Sequence, residues 1–271
     1  MTYVGSISRL ASLSNRIGVP IIAIGLPLLA WELLSAIYPS GSFLFPAPSS
    51  IARLIWSQLS FDNQNGELIG HVGYSLLRLL VGVALATIVG TIIGALIGFT
   101  QWGRMILRPL LSLFMPVPAL AWTPIFLLLI GIDNRTTILI VLIAASFEII
   151  VNVASGIDNM NRRLLWVADS MGATNMQKLT KVIIPGILPY LITGVKLGTG
   201  FAWRSLIAAE MLAAGSYGLG FMIYRASELL DMKTIYAGLV IIAFLGYVIE
   251  NVLIGRVEAA TTERWGIQVE R

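Results

Sequence analysis

The chain has no cysteine and one histidine, His71. The first absence excludes disulfides, thiol catalysis and thiolate metal sites. A lone histidine without cysteine makes no zinc constellation. Charge is also scarce: 12% of the 271 residues are charged, against about 25% in soluble domains. No G-x-x-x-x-G-K-[ST] run occurs, so the chain carries no phosphate-cradling loop of its own.

What is abundant is apolar sequence, 57% of residues, with a mean hydropathy of +0.85. Such a chain needs lipid as its solvent. Six spans are read, at 18–38, 71–99, 105–130, 136–154, 186–213 and 235–254. Each supplies the roughly 20 apolar residues of a bilayer-crossing helix. Backbone hydrogen bonds must close internally in lipid, so the expected fold class is an all-α membrane protein with six transmembrane helices. The basic start resembles a signal n-region, but the run after Gly18 is long enough to span and reads as an uncleaved anchor.

Lysine and arginine set the expected orientation. One set of loops holds Arg9, Arg16, Arg104, Arg108, Arg162, Arg163, Lys178, Lys181, Arg256, Arg264 and Arg271. The alternate set holds only Arg53, Arg135, Arg225 and Lys233. The first set is expected in the cytoplasm, with both termini. The same bias accounts for the pI of about 9.5; the charges are spread over several loops and form no nucleic-acid patch.

Within the second span Gly82, Ala86, Gly90, Gly94 and Gly98 recur every fourth residue. They share one helix face and admit a close neighbour, which fits tight internal packing, a dimer contact or a ligand contact. The third span reads MPVPALAWTP from Met115 to Pro124. Pro116, Pro118 and Pro124 remove donors and break a regular helix. Broken backbone at membrane depth survives when packed in protein or lining a wet cavity, and such discontinuous helices flank transport sites. A packed kink and a transport lining both stay open, with Pro118, Trp122 and Thr123 as candidate lining groups.

The stretch NRRLLWVADSMGATNMQKLTKVIIPGILP, 161–189, is polar by the standards of this chain. Gly172 suits the left-handed position after a helix end. Thr174 with Gln177 fits a capping box opening a second short helix. Leu164, Leu165, Val167, Ala168 and Met171 form an apolar set on the first. That set suits a partner's groove or, equally, an interfacial helix lying on headgroups.

Charges inside spans are costly and usually functional. The fifth span carries Lys196, Trp203, Arg204 and Glu210; elsewhere stand Glu32, Arg78, Glu148 and Glu250. Arg204, near the middle of its span, is either a cation on a solute path, able to hold an oxyanion bidentately, or half of a buried pair with Glu148 or Glu210.

The polar stretch resembles the EAA loop of bacterial ABC-importer permeases, whose pattern is EAA, three residues, Gly, nine residues, then I-x-L-P. Gly172 and Pro185 match at the required spacing, Val182 and Ile184 take the I and L positions, and Ala168 matches the last alanine. Trp166 and Val167 depart from the family's Glu and Ala. PAPSSIARLI, HVGYSLLRLLVGV, MPVPALAWTPIFLLLIGI, GFAWRSLIAAEML, GLGFMIYRASELL and the closing ERWG are similar to the permeases for taurine, alkanesulfonates, nitrate and bicarbonate.

The resemblance implies a MetI-like type I importer core of five spans, 71–258, preceded by an extra helix. The remaining segments would be a cytoplasmic arm at 1–17, an external loop with a short interfacial helix at 39–70 and a cytoplasmic tail at 259–271. The cytoplasmic coupling loop, 158–185, would dock an ATPase through Arg162, Arg163, Leu164, Leu165, Ala168, Asp169, Met171, Gly172, Ala173 and Thr174. Pro118, Trp122, Thr123, Trp203 and Arg204 would line the path. The chain would sit in the bacterial cytoplasmic membrane with a second copy of itself, two ATP-binding subunits and an external solute-binding protein. ATP and Mg would bind the partner ATPase, and this chain would hold no cofactor or metal. A small anion is the expected solute, sulfonate or taurine first, nitrate or bicarbonate next. The rival classes are an intramembrane enzyme, for which no nucleophile–base or metal set is present, and a stand-alone channel or secondary transporter, in which inverted repeats would be expected.

Overall fold

The computed structural model of the chain describes residues 22–23, 25–37, 44–59, 67–253 and 255–256. All regular structure among them is helical. The chain divides into two compact units, Met1–Gly66 with Ala226–Ala237, and Glu67–Arg225 with Gly238–Arg271.

In the first unit α1 is Gly25–Ile37 and α2 is Pro48–Leu59. Glu32 of α1 accepts hydrogen bonds from the Ser49 amide at 3.1 Å and the Ser49 hydroxyl at 2.7 Å. Ser49 lies in the first turn of α2, where amides lack helical partners and a carboxylate is favoured. This charge, expected from the sequence inside a span, is therefore a helix cap. Trp31 packs against Tyr236 with ring centroids 5.4 Å apart. α2 falls within the 39–70 segment. The remainder of the 18–38 span, at 18–21, 24 and 38, lies outside the described residues, as do the 1–17 arm and the 259–271 tail.

The second unit opens with α3, Glu67–Phe99. Then come α4, Gly103–Phe114, and α5, Ala119–Ile130, which meet at 91° across the prolines. α6 is Asn134–Asp158, α7 is Arg162–Ser170 and α8 is Asn175–Lys178. α8 passes through a π turn, Leu179–Ile183, into α9, Ile184–Ala213. α10, Leu219–Glu228, and α11, Met232–Tyr247, belong to this unit up to Arg225 and from Gly238. Among the described residues four helices are long and apolar enough to cross a membrane, or five with the bent α4–α5 pair counted as one span.

α6 is the central helix: 56% of its apolar window is buried, against 28% for α3 and 22% for α9. The small-residue stripe explains the approach of α3. A Cβ built on Gly94 would lie 2.8 Å from Val153 Cβ, and one on Gly98 would lie 2.7 Å from Ile157 Cβ. Both are inside van der Waals contact, so only glycine fits. Gly82 and Gly90 meet Val141 and Ile149 of α6 in the same way. On the other flank Gly198 of α9 faces Ala145, its would-be Cβ 2.8 Å from the Ala145 carbonyl oxygen. Of the three readings of the stripe, internal packing against α6 is the one seen.

Candidate functional site

The loop between α6 and α9 is built by capping. Asn161 accepts the Arg163 amide at 3.0 Å and starts α7. α7 ends where Gly172 adopts φ +71°. The Gly172 amide then donates to Asp169 O and the Ala173 amide to Ala168 O, both at 3.0 Å. This is the paired closure of a Schellman end, which favours glycine in the left-handed position. Thr174 and Gln177 close a reciprocal capping box on α8, with Thr174 N donating to Gln177 Oε1 at 2.8 Å and Gln177 N to Thr174 Oγ1 at 3.3 Å. Lys178 Nζ bonds Asp169 Oδ1 at 2.7 Å and ties the two short helices together. With Trp166 in place of the family's glutamate, Asp169 is the carboxylate that braces this loop.

The result is a shaped apolar face. Leu164, Val167, Ala168 and Met171 line one side of an open groove of about 440 Å³, and Val182 and Pro185 line the other. Leu165 is absent from that lining. Met171 is 81% exposed and Trp166 67%. Arg162, Arg163 and Thr174 are exposed around it.

The proline break forms a second feature. A cavity of about 400 Å³ lies between the 115–120 backbone and the faces of α6 and α9, reached by Ala144, Phe147, Glu148, Phe201 and Ser205. Pro118 lines it. Trp122 does not: its ring packs on Phe114 at 6.0 Å, inside the elbow of the bend. Thr123 is fully buried. Trp122 Nε1 and Thr123 Oγ1 are both buried without a hydrogen-bond partner among the described residues.

Trp203 and Arg204 part company because neighbours on a helix point about 100° apart. Trp203 is buried in the core and set so close to Gly246 that a Cβ there would meet its Nε1 at 2.8 Å. The Arg204 side chain is 68% exposed, 3.7 Å from Glu250 and 5.5 Å from the centre of the Phe201 ring. The expected pairing of Arg204 with Glu148 or Glu210 is not found. Glu210 instead takes Arg78 Nη1 at 2.7 Å, Ser75 Oγ at 2.8 Å and the Gly220 amide at 3.0 Å. Arg78 in turn holds Asn134 Oδ1 through Nη2 at 2.6 Å, and His71 Nδ1 accepts the Gly218 amide at 3.0 Å. This clamp fastens the α9–α10 loop to α3 and the start of α6.

Sequence reasoning missed Ser205 and Phe201 as cavity groups, and Glu148, named only as one possible partner of Arg204, lines the cavity with them. The available signal was periodicity: Phe201 and Ser205 are four apart, on one face of α9. Among the described residues no cluster of three or more His, Asp or Glu is arranged to hold a metal ion.

The model of the binding-protein-dependent transport system inner membrane component family matches residues 86–262, more than half of the chain. A Bacillus subtilis protein described as an aliphatic sulfonates transport permease is 32% identical over 80% of this chain and 76% of its own length. The taurine transport system permease protein TauC of Escherichia coli is 29% identical over 88% and 86%. A chain of the MetNI methionine ABC transporter, solved in inward-facing conformations, has the same fold, with a TM-score of 0.62 at 20% identity over 72% of this chain and 96% of that one. The chain belongs to the inner membrane components of binding-protein-dependent transport systems, the ABC-importer permeases, in the subfamily that includes sulfonate and taurine permeases.

Proposed function

We propose that this chain is the path-forming subunit of an importer driven by ATP, working as a homodimer with six spans per copy and cytoplasmic termini. Two ATP-binding subunits dock on the paired α7–α8 loops, and an external binding protein delivers the solute. The observation that carries the coupling part is the capped loop with its exposed apolar groove: Leu164, Val167 and Met171 stay uncovered and Ala168 half-covered although the helix is held rigidly by Asn161, Gly172 and the Asp169–Lys178 bridge. A rigid, uncovered apolar face suits a protein partner that pushes on it. ATP and Mg belong to that partner, which supplies the hydrolysis.

The solute is a small anion of the sulfonate or taurine type, with nitrate or bicarbonate next. The relatives named above support this class, and so does Arg204, a guanidinium left exposed on α9 that can fork onto an oxyanion. Alternating access would open the α4–α5 break to one side at a time. The test is uptake of labelled taurine and ethanesulfonate by cells carrying the complete importer. Neither solute entering, or entry without an ATPase subunit, would overturn this function.

A further inference from the structure

The cavity at the proline break has a chemistry that a simple anion does not match. Glu148 is the sole ionisable side chain among its lining residues, and Ser205 supplies a hydroxyl. Both are half-buried, and neither side chain has a hydrogen bond or ion pair among the described residues. The broken backbone adds more acceptors. Pro116 and Pro118 have no amide N–H, and among the described residues the carbonyls of Met115, Pro116 and Val117 accept no backbone hydrogen bond. A carboxylate kept unpaired at membrane depth is costly, and unpaired carbonyls beside it add to that cost. Glu148 is the one charge in the lining, so a sulfonate placed there would meet a carboxylate of its own sign.

We infer that this cavity is an amine-accepting subsite on the solute path, and that the solute carries an ammonium group beside its anionic end. An ammonium has three donors and no acceptor. It matches one carboxylate, one hydroxyl and one backbone carbonyl. The volume of about 400 Å³ suits a small organic molecule. Arg204 lies one residue before Ser205 and touches Phe201, which also lines the cavity. The cation for the anionic end is thus on α9, beside two lining residues of the cavity, and the carboxylate for the amine comes from α6. The inference rests on the reading of this chain as a permease for sulfonate-type solutes.

The experiment is ligand-detected NMR on the assembled importer in nanodiscs, with ethylammonium, ethanesulfonate and taurine as separate probes. Ethylammonium and taurine should compete for one site. Glu148→Gln, nearly isosteric, should weaken both by about tenfold or more, the scale of a charged hydrogen bond, and leave ethanesulfonate unchanged. Glu148→Asp should keep part of the affinity. Ser205→Ala should weaken ethylammonium severalfold and serves as the second variant if Glu148→Gln fails to fold. The inference is overturned if ethylammonium does not bind, if Glu148→Gln and Ser205→Ala leave its affinity unchanged, or if equimolar sodium chloride displaces it. Glu148-dependent binding of ethylammonium with no binding of either sulfonate would leave the amine subsite standing and sink the sulfonate reading instead.

Discussion

Arg78 of α3 and Glu210 of α9 form an ion pair at 2.7 Å, with side chains only 2% and 0% exposed. They are 132 residues apart in sequence. Every oxygen of the carboxylate is engaged, by Arg78, Ser75 and the Gly220 amide. The pair therefore fixes α3, α9 and the first turn of α10 as one body. Removing one partner leaves a buried charge alone, which costs about 3–5 kcal/mol, whereas replacing both with apolar residues is much milder. Glu210→Ala and Arg78→Ala should each abolish stable purification or sharply lower the melting temperature in detergent. The double change to Met should recover most of that loss. Equal damage from the single and double changes would show that the pair is not the source of the stability.

A different kind of constraint acts at Gly172. A Cβ there would touch nothing within 4 Å, so space is not the issue; the φ of +71° is. A β-branched residue in that region costs about 1–3 kcal/mol, and asparagine much less. Gly172→Val should lose ATPase assembly or coupling while the spans still insert, and Gly172→Asn should retain most of both. Pull-down of the ATPase subunit with an uptake assay reads this. Val and Asn behaving alike would remove the backbone explanation.

These two sites differ in how far the sequence discloses them. Gly172 and the Thr174–Gln177 box are local: cap, turn and next cap lie within a few residues, and spacing alone identifies them. The same holds for the glycines of α3 and the proline break. The partner of Glu210 is not local. Sequence shows a carboxylate and several cations inside spans, and only the packing of α3 on α6 and α9 selects Arg78. Arg204 and Trp203 fail for a related reason. Adjacent positions look equivalent in a list of residues, but the helix turns one into the core and leaves the other open.

The contact between α3 and α6 should be reversible by paired substitution. Gly98→Ala places a methyl 2.7 Å from Ile157 Cβ and Cγ2 and 2.8 Å from its Cδ1, of which Ile157→Ala removes the last two, and overpacking of this kind costs about 1–3 kcal/mol. Gly98→Ala should lower the melting temperature, and adding Ile157→Ala should restore part of it. A dimer role for the same face predicts instead that Gly98→Ala changes the oligomeric state with the melting of each copy unaltered.

Orientation is accessible through labelling, because the chain has no cysteine to remove. Arg163 and Asn134 sit at the start of α7 and the start of α6. With the basic loops inside, a membrane-impermeant thiol reagent should modify Asn134→Cys in intact cells and reach Arg163→Cys only after permeabilisation. Asn134 also binds Arg78, so its neighbour Asp133 is the safer site where Asn134→Cys expresses poorly. The reverse labelling pattern would invert the topology.

The role of Arg204 can be separated from structural support. Its contact with Glu250 is 3.7 Å long and largely exposed, and exposed pairs of this kind contribute about 0–1 kcal/mol. Arg204→Ala should therefore leave folding, dimerisation and ATPase docking intact. If the guanidinium meets the anionic end of the solute, uptake should fall about tenfold or more, since hydrogen bonds to charged groups are worth about 1.5–3 kcal/mol. Arg204→Lys should rescue poorly, because an ammonium cannot present two parallel donors to a sulfonate. Glu250→Gln gives the control: it frees Arg204 from its weak partner, so uptake should hold or rise. Normal uptake in Arg204→Ala would remove the residue from the path. Loss of folding in that variant, with recovery on exchanging Arg204 and Glu250, would make the pair structural after all.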